Sequence, residues 1–460
     1  MKHIIATLVL MLTLAVGAQT PILVKTFPNP TPVGGEYFGW AMAPLGNDRV
    51  LVGAPYAGNL DLVTYSLGEA YLFSTNGTLL TTFTNPTPQS GDLFGNAIAT
   101  IGNDLIVIAA HSDNAAADSS GVIHLYTTSG ALLKTITNPQ PTSDANFGYS
   151  LAVVGNDRIV AGAPGQSSFA PASAGVAYLI STNGALLATF TNPAPTLGDN
   201  FGFTVATVGT EYILIGAIGD DQGAVDAGRA YLFRTNGALV ATFNNPTPAD
   251  NDLFSYRLSG FGDDRVLIGC PKDSSTVSMA GAAYLFDING TLLKTFTRNI
   301  VNQNHGVATA LGPLVLVGAP GDNTGAAGAG AAYLYTTSGT LVATITNPAS
   351  ASADYFGYKV VPMGTDRVLI SGEWEAGSVG AVYLYSLPPL PSLTIRRAGS
   401  NAATVSWPDS AGNFVLQQNT NSLSSINWSN IASGIQNDGT TKSLVIDPVS
   451  GTRFYRLVIP

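Results

Sequence analysis

Short apolar runs recur along the chain, and small polar turns cut each of them off. Residues 147–193 show the unit. "FGYSLAVV" leads to Gly155-Asn156-Asp157, then "RIVAGAP", a polar stretch, "GVAYLIS", Thr182-Asn183-Gly184 and "ALLATFTNP". These runs are too short for amphipathic helices and rich in β-branched and aromatic residues, so each predicts a strand. Gly and Asn accept positive φ at low cost, so the two short links read as tight turns. Four strands joined in sequence form an antiparallel meander. Such a sheet cannot bury both faces alone and needs neighbours on either side.

The unit repeats seven times. Aromatic-Gly pairs stand at Phe38-Gly39, Phe94-Gly95, Phe147-Gly148, Phe201-Gly202 and Phe356-Gly357, with degenerate copies at Phe254-Ser255 and His305-Gly306, spaced 51 to 56 residues apart. Gly-Ala-Pro follows at Gly53-Ala54-Pro55, Gly162-Ala163-Pro164 and Gly318-Ala319-Pro320, and the other units carry variants. A period of this length means a solenoid or a propeller. The ends decide between them. The fourth strand occurs six times downstream, from Leu79, Leu132, Leu186, Leu239, Leu292 and Leu341, but is missing from the seventh unit. A matching segment, "ILVKTFPNPTP", begins at Ile22. A repeat split between the two ends is what a closed ring requires. The prediction is an all-β fold: a seven-bladed β-propeller over residues 19–386, closed by its N-terminal strand. Phe of the Phe-Gly pair should pack between blades, and Gly should allow close backbone approach or an unusual torsion.

Composition agrees. Charged residues are 10% of the chain, against about 25% in ordinary soluble domains. The formal net charge of -10 argues against nucleic acid or a polyanionic membrane surface as partner. Residues 1–18 read as an export signal: Lys2 and His3, an apolar run from Ile4 to Val16, and small residues up to a cleavage site after Ala18. No later stretch is long and apolar enough for a membrane span. The mature chain is therefore expected outside the cytoplasm, secreted or in the cell envelope or at the surface. Cys270 is the only cysteine, so no intramolecular disulfide is possible, and it stands where other units carry the Ala of Gly-Ala-Pro.

The Phe-Gly and Gly-Ala-Pro pairs resemble the FG-GAP repeat of integrin α-subunit propellers and of many exported bacterial proteins. The resemblance covers the seven units and implies a propeller. It also implies an adhesion or ligand-binding scaffold rather than an enzyme. Integrin-type repeats often hold calcium in an Asp-x-Asp-x-Asp-Gly loop between the first two strands. Here that link is as short as Gly46-Asn47-Asp48, too short to surround Ca²⁺, so no calcium function carries over. No other cofactor is implied.

In such a meander the two tight turns share one face and the longer loops share the other. Loops that vary on a rigid frame are where binding is expected. The ligand candidates among them are Tyr56, Tyr65, Phe169 and Trp374, whose rings could stack on a sugar. Asp113, Asp118, Asp220, Asp221 and Asp226 are candidate cation ligands in the same loops. Acids two residues before the Phe position, such as Asp92 and Asp199, read as turn caps. Histidines at 111, 124 and 305 show no metal spacing, and no nucleophile elbow or phosphate loop occurs. The reading is a non-enzymatic scaffold that binds a protein or glycan at the cell surface through the variable-loop face. The alternatives are a polysaccharide-active propeller enzyme or a structural surface protein without a small ligand.

"LPPLP" at 387–391 reads as a stiff linker. Residues 392–460 hold further strand-like runs, which suggest a small β-sandwich; they resemble C-terminal modules of exported verrucomicrobial-type proteins. Trp407 and Trp428 are expected in its core.

Overall fold

A computed structural model describes residues 21–58, 66–168, 172–372, 374–387, 393–398, 402–408, 415–419, 428–431, 433–447 and 453–458. The export signal, Tyr65 and Phe169 lie outside the described residues. Two compact units are present. The larger comprises Ile22–Gly339 and Thr344–Ser386, and the smaller includes Leu387–Pro460.

The larger unit contains seven four-stranded antiparallel sheets. In blade 3, Ser150–Val154 pairs with Arg158–Ala163, which pairs with Val176–Ser181, which pairs with Leu186–Thr191. Blades 1, 2, 4, 5 and 6 repeat this order and begin at Ala41, Ile98, Phe201, Arg257 and Val307. Blade 7 has Val360–Met363, Arg367–Gly372 and Ala381–Ser386, and its outer strand is Ile22–Pro28. The register runs from Ile22 opposite Ser386 to Pro28 opposite Ala381. Each innermost strand touches the next, and the last touches the first. The ring is closed as the split repeat predicted. Closure leaves neither a first nor a last blade with an open face.

Apolar layers lie between blades. Leu51, Leu72 and Phe83 of blade 1 meet Ile106, Ile108 and Tyr126 of blade 2. At the closure, Phe27, Val382 and Leu384 of blade 7 meet Val52, Tyr71 and Phe73 of blade 1. The outer strand of blade 7 contributes one buried ring to this layer: Leu23 and Val24 are exposed, whereas Phe27 is fully buried.

The Phe-Gly pair precedes the innermost strand in most blades instead of starting it, and Gly takes φ near +90° there. Phe38, Phe94, Phe147, Phe201, Phe254 and Phe356 are all fully buried. The two halves of the motif meet across blades. A side-chain carbon added at Gly53 would lie 2.1 Å from the carbonyl oxygen of Gly95 in the next blade. At the closure, the same addition at Gly380 would lie 2.1 Å from the Phe38 carbonyl oxygen, and the Phe38 N–H donates to Val379 across that seam at 3.2 Å. Glycine at these positions lets backbones touch.

In the smaller unit, Thr394–Arg397, Ala403–Pro408, Thr441–Ile446 and Ile435–Asn437 form one sheet. Ser429–Asn430, Val415–Asn419 and Phe454–Val458 form another. Val405, Trp407, Leu416, Tyr455 and Leu457 share its core. Trp407 is buried there as expected.

Candidate ligand site at the channel mouth

Each innermost strand starts at the long-loop face and runs toward the tight-turn face. The residue two positions after the Phe of each unit therefore stands at the long-loop mouth of the central channel. These residues are Trp40, Asn96, Tyr149, Phe203, Tyr256, Val307 and Tyr358. Six of them form a closed collar. The Trp40 indole N–H donates to Asn96 Oδ1 at 3.0 Å, and Asn96 Nδ2 donates to the Tyr149 carbonyl at 3.3 Å. Ring centres then run from Tyr149 to Phe203 at 4.8 Å and from Phe203 to Tyr256 at 5.7 Å. The Tyr256 and Tyr358 hydroxyls meet at 3.2 Å above the small, buried Val307. Tyr358 returns to Trp40 at 5.9 Å. All six collar residues are half-buried, so each offers part of itself to solvent.

The collar and the first turn of strand beneath it line a cavity of about 210 Å³. That is smaller than the roughly 300–1,000 Å³ of a drug-sized pocket, and suits one ring or one side chain. Among the described residues, Arg257 and Lys359 are its only charged lining residues. The Arg257 guanidinium lies 4.5 Å from the Tyr256 ring centre and 5.7 Å from that of Tyr358. Its Nη1 donates to the Tyr256 carbonyl at 3.1 Å, while its buried Nε has no partner. Among the described residues no carboxylate pairs with Arg257. Burial, helped by the Tyr256 hydroxyl, pushes Tyr149 up to about 12, with Arg257 pulling the other way. Tyr149 thus stays a neutral hydroxyl at physiological pH.

Of the four predicted aromatic residues, two belong to the wall above this collar. Tyr56 packs on Trp40 and Tyr37, and Trp374 packs between Tyr37 and Tyr355. Tyr37 and Tyr355 hold φ of +54° and +52°, which bulky residues rarely adopt. Their backbone N–H groups donate to Ser378 and Gly328 of the neighbouring blade and hold that turn. Trp374 is 43% exposed. Sequence reasoning missed the collar itself and both cations. The signal existed: five of the seven residues in that column are aromatic.

The loop acids do other work. Asn85 and the Gln89 N–H both donate to the Asp92 carboxylate, at 2.7 and 2.6 Å. The same clamp recurs at Asp199, Asp252 and Asp354. Burial raises Asp92 to about 6. A second brace links the loop after Gly-Ala-Pro to the third strand. Tyr231 donates to Asp220 at 2.9 Å, Tyr284 to Asp273, Tyr333 to Asp322 and Tyr383 to Glu375.

The five candidate cation ligands divide between blades 2 and 4. Asp220 also pairs with Arg229 at 3.6 Å. Asp221 accepts the Asp226 N–H at 2.9 Å, and Asp226 occupies a turn at φ +50°. Asp113 accepts the Ala115 N–H at 2.8 Å, and the exposed Asp118 accepts the Asp144 N–H through its backbone carbonyl. Among the described residues these five do not converge as a ligand cluster; Asp252, Cys270 and Asp273 do, within 4.8 Å. There Cys270 donates to the Asp252 carbonyl at 3.2 Å, and Asp273 accepts from Tyr284 and Ser275. Those bonds brace the loop of blade 5.

His111, His124 and His305 are buried, which lowers the first two to about 4 and the third to about 3. His124 replaces the bracing tyrosine of blade 2 and bonds Thr135 at 3.0 Å instead. It leaves its own Nε2 and Asp113 Oδ2 buried without partners.

The sequence profile of the FG-GAP repeat matches residues 189–233. These residues run from the outer strand of blade 3 through the third strand of blade 4, across the seam where Phe-Gly and Gly-Ala-Ile stand. The chain carries an FG-GAP repeat and folds as a β-propeller. Among solved structures it is similar to the WD40 β-propeller domain of Doa1, with 13% identity, 80% of this chain and 97% of that one covered, and a TM-score of 0.51. It is also similar to the C-terminal WD40 domain of Sif2, with 14% identity, 81% and 100% coverage and a TM-score of 0.47. The Doa1 likeness supports the fold alone. No curated protein matches the sequence significantly. Among the described residues no helix is long and apolar enough to cross a membrane.

Proposed function

We propose that this protein is an exported, non-enzymatic scaffold that captures a protein or glycan at the cell surface. The ligand enters the long-loop mouth of the propeller and rests on the aromatic collar. The collar carries the reading: six residues from six blades close a circuit, five of them with aromatic rings, around a cavity open to solvent. A buried hydrogen-bonded frame of Asn-acid and Tyr-acid clamps holds the surrounding loops, so the site is organised before a ligand arrives. Among the described residues the cavity lining supplies rings, one amide and two cations, but no carboxylate pair suited to acid-base chemistry. Export rests on the sequence of residues 1–18 alone.

The test is capture from glycan arrays and cell-surface extracts by the chain lacking residues 1–18. Phe203→Ala and Tyr149→Ala should each weaken capture at least tenfold. Asn183→Ala, on the tight-turn face, should leave it unchanged. Loss with Asn183→Ala and retention with both collar variants would place the ligand on the other face.

A further inference from the structure

Resting on the collar reading, we propose that the mouth recognises an acidic sugar, a uronic-acid residue of a polysaccharide. Its pyranose would lie against the collar rings and its carboxylate on Arg257. Three observations lead there. The cavity takes one ring, and its lining includes five aromatic side chains, among them Tyr256 and Tyr358 with hydroxyls that meet, a surface on which a pyranose can stack. Arg257 stands in that cavity with no carboxylate partner among the described residues, and its guanidinium lies close to two tyrosine rings. A guanidinium fork matches a carboxylate through two parallel hydrogen bonds. Lys359 adds a second positive charge, and the described lining adds no negative one.

The charge of the rest of the molecule narrows the ligand further. With a net charge of -10, the surface repels extended polyanions. A short oligouronide, with one carboxylate on each ring, can still reach the cationic mouth. The mouth suits a uronate at a chain end better than a sulfated or phosphorylated polymer. It also suits an acidic peptide terminus less well, because a peptide would bring a backbone for which this side-chain collar offers little pairing.

Calorimetry and ligand-observed NMR on the chain lacking residues 1–18 test this with trigalacturonate, neutral galactotriose and an acetylated glutamate tripeptide. Trigalacturonate should bind at least tenfold more tightly than the other two. Arg257→Met keeps the stem over the tyrosines and removes the fork, and should erase that preference while leaving the melting temperature unchanged. Lys359→Met should reduce the preference less, and serves if Arg257→Met is poorly folded. Equal affinity for acidic and neutral sugar, tighter binding of the peptide, no binding of trigalacturonate at millimolar concentration, or a preference untouched in Arg257→Met would each overturn the inference. The collar reading fails separately, when Phe203→Ala leaves capture of every ligand intact.

Discussion

Replacing Phe27 with Ala strikes the seam where the chain's first strand completes its last blade. Phe27 is fully buried, its ring centre lies 5.5 Å from that of Phe73 in blade 1, and it shares a core with Phe38, Val382 and Leu384. Burial of a Phe contributes about 1.5–3 kcal/mol, and a tilted aromatic pair adds about 0.5–1.5 kcal/mol. With the cavity left behind, Phe27→Ala should cost about 3–5 kcal/mol. Domains are stable by only about 5–15 kcal/mol, so this is a large share. Leu23→Ala on the same strand is the control. Leu23 is 40% exposed, and its truncation should cost less than about 1 kcal/mol. Urea unfolding followed by tryptophan fluorescence and by far-UV circular dichroism measures both variants. Equal small costs for the two would refute the argument that this strand closes the ring through its buried face.

Three further outcomes follow from the same contacts. Gly380→Ala should destabilise by more than about 2 kcal/mol in thermal melts, because its new carbon collides with the Phe38 carbonyl and φ is +83°. His124→Tyr should stabilise by about 1–2 kcal/mol, since the hydroxyl can reach Asp113 Oδ2 as Tyr231 reaches Asp220. It should also reduce acid sensitivity. Burial lowers His124 to about 4 from its ordinary 6.5, so its contribution is full above pH 6.5 and is lost as pH falls toward 4. Asp92, raised to about 6, acts in the opposite sense: its contribution is full below its unfolded value near 3.8 and is lost as pH rises through 6. Comparing His124→Tyr with the parent protein across that range isolates the histidine. Cys270 should resist a thiol reagent until the protein unfolds, because burial holds its thiol well above the ordinary range, and Cys270→Ala should cost less than about 1.5 kcal/mol.

The ring was legible in the sequence because its causes are local and repeated. Gly155-Asn156-Asp157 and Thr182-Asn183-Gly184 mark turns, and the apolar runs between them mark strands. The stray strand at Ile22 told where the circle closes, and its pairing with Ala381–Ser386 is the result. The collar was harder to read, because no short stretch contains it. Trp40, Tyr149, Phe203, Tyr256 and Tyr358 come from five blades, and each looks like an ordinary strand residue in its own repeat. Arg257 and Lys359 gain meaning only when the ring places them in one cavity. Tyr56 and Trp374 were singled out because variable loops draw attention, and they pack on rings beside the collar; Asp220 and Asp221 drew the same attention and accept backbone N–H groups within their own loop. Loop acids and loop rings look alike in sequence; only their partners distinguish them.

The most direct test of the ligand site is a crystal structure of the chain lacking residues 1–18 with the ligand that it captures. The account predicts that the ligand sits between Trp40, Phe203 and Tyr358, at the end of the channel where the innermost strands begin. A ligand bound among the tight turns near Asn76 and Asn183, with the collar empty, would contradict it.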